Sequence, residues 1–194
     1  MLTKKQKISK RFFDVILSFL MLPFVIIPLI LLLIIASIST KQNGLFVQKR
    51  VGIYGSLFSF YKIRSLKGTW HEDIKAIKNS ETPFGSWIRK TKLDELPQLF
   101  NVLKGDMSFV GPRPDIIGYA DTLSNDDRII LSVRPGITGP ATIKYKNEEE
   151  ILLQQDNPKK YNDEVIWPDK VAINKEYVLT WSFTKDIYYL LKSL

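Results

Sequence analysis

There is no cysteine among the 194 residues, which excludes disulfides, thiolate catalysis and cysteine-ligated metal. Histidine is nearly as scarce: His71 stands alone, has no second His or Cys with which to hold a metal, and is read as a surface residue. No Walker-type phosphate loop, no Rossmann glycine fingerprint and no Ser-His-Asp set is present. Acidic residues are almost missing from the first fifty positions, where eight Lys or Arg face a single Asp. Long apolar runs are missing everywhere but near the start: residues 15–38 are 24 consecutive positions without charge, and nothing comparable follows.

What is there is basic and unevenly so. The formal charge of +8 divides into +7 over residues 1–50, +4 over residues 51–114 and −3 over residues 115–194. The basicity therefore gathers beside the apolar run, where each Lys or Arg gains about 1 kcal/mol from anionic headgroups. A nucleic-acid binder would carry its basic, aromatic-interleaved groove in the soluble part, and that part ends acidic, so nucleic acid is not an expected partner. The length suits one domain over residues 1–194, with a membrane segment at about 12–38 and the remainder, 39–194, outside it.

Twenty-four helical residues measure about 36 Å, enough to cross a hydrocarbon core of about 30 Å. The run is too long for a signal-peptide core and lacks a small-residue cleavage site. Two features weigh against a simple span. Lys4, Lys5, Lys7, Lys10 and Arg11 precede it and Lys41, Lys49, Arg50, Lys62 and Arg64 follow it, so both ends carry the cytoplasmic signature. Pro23 and Pro28 interrupt its middle, each removing a backbone donor and bending a helix. A re-entrant helix hairpin broken near Pro23, with Ser18 among the partners of the freed backbone groups, and a kinked span both satisfy these residues.

Further along, residues 45–65 alternate apolar and polar around Gly52 and Gly55, the pattern of a β-hairpin. Thr91 before Asp94 predicts a helix cap, and Leu96, Leu99, Phe100 and Leu103 recur at helical spacing until Gly105. The GPRP at 111–114 and the RPGITGP at 134–140 are rigid turns. Between them, residues 115–131 are read as a helix, with Asp126 and Asp127 at a polar break. The tail carries an acidic run at 148–150, a PKKY segment at 158–161, an amphipathic helix near 170–178 and the aromatics Trp181, Phe183, Tyr188 and Tyr189, which suit either a core or an interfacial belt.

The chemistry concentrates in KLDELPQLFNVLKGDMSFVGPRP at 92–114. Carboxylates at i and i+1 on a helix diverge by about 100°, so Asp94 and Glu95 cannot face each other as a glycosidase pair does. They suit separate tasks, one attacking a substrate while the other holds a cation. Magnesium takes one or two carboxylates and fills its shell with substrate phosphate oxygens. Arg113, on a turn stiffened by proline on both sides, presents the planar fork that matches a phosphate. Such a set describes phosphoryl transfer through an aspartyl-phosphate-type intermediate. An isolated acid pair at a helix start ordinarily only complements the dipole, so these residues propose the site without establishing it.

Taken in order, KRFFD (10–14), FVQKRVG (46–52), YKIRS (61–65), the 92–114 segment and RPGITG (134–139) resemble the small monotopic phosphoglycosyl transferases of the bacterial sugar transferase family. The resemblance implies that a UDP-sugar and polyprenyl (undecaprenyl) phosphate react, with Mg2+, to give polyprenyl-diphosphate-sugar and UMP, the first membrane step of capsule, O-antigen or glycoprotein glycan assembly. It implies Asp94 as nucleophile, Glu95 as magnesium ligand and Arg113 as phosphate-binding residue, with Lys62 and Arg134 as further substrate-binding candidates. It favours the hairpin, in contact with membrane lipid on the cytoplasmic face of the bacterial inner membrane. Downstream glycosyltransferases and a second copy of the chain are further candidate partners. Two positions depart from the family pattern: Leu22 precedes Pro23 where Ser is common, and Asn174 in NKEYV stands where an Asp is expected. Residues 142–167 follow no general family pattern. The expected fold is therefore a helix-rich α/β membrane-associated domain with a re-entrant helix, amphipathic interfacial helices and little sheet. The alternative to an enzyme is an idle membrane-anchored scaffold for soluble glycosyltransferases.

Overall fold

The structure, a computed structural model, describes residues 2–69 and 74–193; His71 lies outside them. Helix α1 runs from Lys4 to Thr40. A reciprocal capping box opens it, with Thr3 N donating to Gln6 Oε1 and Gln6 N to Thr3 Oγ1, and Lys41 closes it in the left-handed region at φ 55°. Pro23 and Pro28 lie inside an uninterrupted helical run, so no break divides α1 into two helices near Pro23. Ser18 Oγ is buried and has no hydrogen-bond partner, so it does not serve the backbone there.

The expected hairpin is present: β1 (Leu45–Val51) pairs antiparallel with β2 (Leu57–Ile63), Phe46 opposite Lys62 and Arg50 opposite Phe58. After α2 (Ile74–Ser80) and α3 (Pro83–Lys90) comes α4 (Gln98–Lys104), ended by Gly105 at φ 91°. Asn101, fully buried on α4, completes the edge of β2. Its side-chain carbonyl accepts from Tyr61 N and its amide donates to Ser59 O, as a neighbouring strand would.

Strand β3 (Ser108–Val110) lies parallel to β4 (Gly136–Thr138), which joins the two proline-rich turns. Gly136 N donates to Pro112 O at 2.8 Å and Gly111 N to Thr138 O at 2.9 Å. A Cβ on Gly136 would lie 2.2 Å from Gly111 N, so the close backbone approach demands glycine. The helix expected over 115–131 is replaced by two 3-10 segments, Ala120–Thr122 and Asn125–Ser132. Ser124 is extended and Asn125 sits at φ 50°, and the carbonyls of Asp121 and Leu123 turn to Arg128 Nη1 instead of continuing a helix.

The chain closes with α5 (Pro140–Lys144), α6 (Glu148–Leu153), α7 (Pro158–Tyr161), α8 (Trp167–Leu179) and α9 (Phe183–Lys192). Helix thus predominates, and among the described residues the sheet is limited to two pairs of strands. Of the tail aromatics, Trp181 and Tyr189 pack on the core while Phe183 and Tyr188 are exposed.

The KRFFD segment clamps α1 to this body. Lys10 pairs with buried Asp186 of α9, which also accepts from Tyr177 and Trp181. Arg11 donates to the Val102 and Leu103 carbonyls at the end of α4, and buried Asp14 accepts from Ser108 Oγ at 3.0 Å and Phe109 N at 3.1 Å. Val25, Leu29, Leu32 and Ala36 join the core built from Phe58, Phe60, Ile63, Ile88, Leu99, Val102 and Phe109. The rest of α1 is open: Ile8, Phe12, Ile16, Phe19, Phe24, Ile27, Leu31 and Ile38 are exposed at helical spacing, an apolar face far larger than an aqueous surface tolerates.

Candidate active site

Between α3 and α4 the chain has little freedom. Thr91 does not cap the next turn as its spacing suggested; its hydroxyl donates back to Trp87 O and ends α3. Lys92 then reverses direction at φ 59°, and Leu93–Glu95 form a 3-10 turn that Pro97 leads into α4. Leu93 and Leu96 pack on the core on either side of the acid pair. As a result Asp94 is only 3% exposed and Glu95 only 8%. Two adjacent buried carboxylates are tolerated only when cations and donors reach them.

Two cations do. Lys62 on β2 lies 3.2 Å from Asp94 Oδ2 and 3.2 Å from Glu95 Oε1, bridging the pair. Arg113 Nη2 reaches Glu95 Oε1 at 2.7 Å. Burial pushes the Glu95 carboxyl up, but Arg113 and Lys62 more than reverse this and hold it well below the usual carboxylate range. Glu95 in turn raises Arg113 above its ordinary value, against the effect of burial. Both contacts to Glu95 fall on Oε1. Asp94 Oδ1 is buried with no hydrogen-bond partner: it is an acceptor that the fold leaves open.

The structure therefore brings four of the five sequence-derived candidates together: Lys62, Asp94, Glu95 and Arg113. Arg134 is held at the opposite end of α4, where its Nε donates to Gly105 O at 2.7 Å, a contact that caps a helix. Asn174, at the position where Asp was expected, is buried on α8 with Oδ1 unpartnered.

Sequence reasoning missed three neighbours. Gln98, four residues after Asp94 at the first position of α4, is buried with Nε2 unpartnered. Asp115, just past the GPRP turn, is pushed up to about 6 by burial, opposed by Lys170, Arg50 and Arg113. Arg50 lies over the Phe60 ring, 5.4 Å from its centroid. The β1–β2 register carried the signal for Arg50, because residues of even number share one face of the hairpin and Lys62 is on it. Residues 142–167, which matched no pattern, approach the site through Glu148. This side chain pairs with Lys170 at 2.6 Å, and its charge acts on both Arg113 and Asp115.

Among the described residues no group of three or more His, Cys, Asp or Glu side chains could hold a metal. The Glu95 carboxylate, with both its protein contacts on Oε1, suits a hard cation that draws its remaining oxygens from a phosphate ligand.

Residues 5–194 match the family described as bacterial sugar transferase. The chain is similar to an undecaprenyl-phosphate galactose phosphotransferase of Salmonella typhimurium, 32% identical over 98% of this chain and 40% of that protein. It is 37% identical to a UDP-glucose:undecaprenyl-phosphate glucose-1-phosphate transferase of Klebsiella pneumoniae, over 93% of this chain and 38% of that protein. A third relative, the uncharacterized sugar transferase EpsL of Bacillus subtilis, is 32% identical over 93% of this chain and 82% of its own length. The chain thus spans about 40% of the first two and most of the third.

Proposed function

The chain belongs to the bacterial sugar transferase family, and from that premise we propose that it moves a sugar phosphate from a UDP-sugar to polyprenyl phosphate through a covalent intermediate on Asp94. The observation that carries this reading is Asp94 Oδ1, buried without a donor beside a carboxylate that Arg113 and Lys62 keep ionised. A buried carboxylate oxygen with no partner is costly, and a substrate phosphorus is the electrophile that would use it.

In the first step an Asp94 oxygen attacks the β-phosphorus of the UDP-sugar. The bond from that phosphorus to the bridging oxygen breaks, and UMP departs with the oxygen. In the second, a phosphate oxygen of the polyprenyl carrier attacks the same phosphorus, the bond to Asp94 breaks, and polyprenyl-diphosphate-sugar leaves with Asp94 restored as a carboxylate. Lys62 offsets the charge of both acids so that an anionic diphosphate can approach, and Arg113 can turn from Glu95 to a phosphate oxygen as substrate enters. Glu95 would hold Mg2+, which when bound would neutralise charge on the departing phosphate.

The lipid acceptor requires a site at the membrane surface. The exposed apolar face of α1 supplies an insertion surface, and the basic residues at both its ends favour one cytoplasmic side, where nucleotide sugars are found. The product is an acceptor for downstream glycosyltransferases.

The test is UMP release from a panel of UDP-sugars by the full chain in nanodiscs, with magnesium and polyprenyl phosphate. Asp94→Asn is expected to lower the rate at least about a thousandfold without lowering the melting temperature. A folded Asp94→Asn protein that releases UMP at the wild-type rate would sink the reading.

A further inference from the structure

Arg50 and Lys62 flank Phe60 on one face of the hairpin, with Arg50 Cζ 5.4 Å and Lys62 Nζ 5.9 Å from the ring centroid. Lys62 has two acids to pair with. Arg50 is underpartnered. Among the described residues its one hydrogen bond is long, from Nη1 to Pro114 O at 3.4 Å, and its Nε is buried with no acceptor. Through Pro114 O it touches the turn that carries Arg113; burial and the Arg113 charge together push Arg50 down to about 10, with Asp115 opposing in part.

Holding a guanidinium half-buried, with its inner N–H unsatisfied and a like charge acting on it, is unfavourable in the absence of an anion. The fold nevertheless fixes both partners. Arg50 sits on a paired strand, packed on Phe60. Arg113 sits on a turn between two prolines whose backbone is locked to β4. Two planar forks held on elements that touch, Arg50 on β1 and Arg113 on the turn that Arg50 reaches at Pro114 O, suit a tetrahedral oxyanion, and Arg113 already reaches the acid pair.

We infer that Arg50 is a second phosphate-binding side chain of this site, which with Arg113 holds one phosphoryl group next to Asp94 and Glu95. The inference rests on the sugar-phosphate transfer reading. The phosphate is that of the nucleotide sugar or that of the polyprenyl carrier, and the two sources are separable by experiment.

Two variants and two assays test it, on the full chain in nanodiscs. Arg50→Met keeps a stem against Phe60 without the donors, and Arg50→Lys keeps the charge without the Nε donor. Calorimetric titration with UDP reads the nucleotide side without turnover, and the KM for polyprenyl phosphate in UMP release reads the lipid side. Arg50→Met is expected to weaken one of the two about ten- to hundredfold, the range of a charge-assisted phosphate contact, with Arg50→Lys recovering part of the loss. A change in UDP affinity assigns the nucleotide phosphate, and a change confined to the lipid KM assigns the carrier phosphate. If Arg50→Met does not fold, Arg50→Lys alone decides, with a severalfold effect expected. Unchanged UDP affinity and unchanged lipid KM in a folded variant overturn the proposal. Because UDP binding needs no nucleophile, an Asp94→Asn chain with normal UMP release would refute the covalent mechanism and leave the Arg50 result standing.

Discussion

Asp115 carries a prediction in its surroundings. Its carboxyl is pushed up to about 6, chiefly by burial, against about 4 in an unfolded chain. Below pH 4 the proton is bound in both states and the group contributes nothing. Between pH 4 and 6 the unfolded chain releases the proton first, so stability falls as pH rises, and above 6 the penalty is constant. Asp115→Asn removes this slope. In urea melts, the stability gained by the variant over wild type is expected to grow from near zero at pH 4 to a plateau above pH 6, on the order of 1–3 kcal/mol. A gain independent of pH would mean that the Asp115 carboxyl is not shifted. Glu95 carries no such penalty: Arg113 and Lys62 meet it directly and more than reverse the effect of its burial.

Among the elements, the hairpin depends on α4 for its free edge. Asn101→Ala would strip the partners from Tyr61 N and Ser59 O and is expected to cost about 2–4 kcal/mol, read as a lower denaturation midpoint. Lys62 should then be less well placed and UMP release slower; a variant with both values unchanged would contradict the role given to Asn101. How much of this was legible beforehand differs by element. The hairpin, α4 and its end at Gly105 followed from alternation, helical spacing and a glycine cap, all local signals. The 3-10 run near Asn125 did not, because Arg128 and the strained φ at Asn125 override the local pattern. Thr91 was misread for a similar reason: the same hydroxyl serves the preceding helix as readily as the following one. Within the site, Asp94, Glu95, Arg113 and Lys62 were visible as motif residues. Arg50 and Asp115 emerge only once the strand register and the parallel β3–β4 contact bring separate segments together. Arg134 had a motif to recommend it, but its contact with Gly105 is one that only tertiary structure reveals.

At the scale of the whole molecule, α1 is both a structural member and an exposed apolar surface. Its first turns are fixed to α4, β3 and α9, and at its far end Ser37 Oγ accepts from Gly44 N, just before β1. Both ends are thus tied to one body, and we propose that they lie on the same side of the membrane. The absence of native cysteine makes a direct test simple. Single cysteines replacing Lys5 and Lys41 are expected to react with an impermeant maleimide from the same, cytoplasmic side of inverted vesicles. Labelling from opposite sides would establish a span.

The central claim is that Asp94 becomes phosphorylated by the sugar donor, and intact-mass spectrometry tests it most directly. The full chain would be incubated with magnesium and its UDP-sugar, with no lipid acceptor. The account predicts a mass increase of one phosphosugar that maps to the peptide containing Asp94, is missing from Asp94→Asn, and disappears when polyprenyl phosphate is added. Full UMP release with no adduct at any time point, or an adduct that persists in Asp94→Asn, would contradict it.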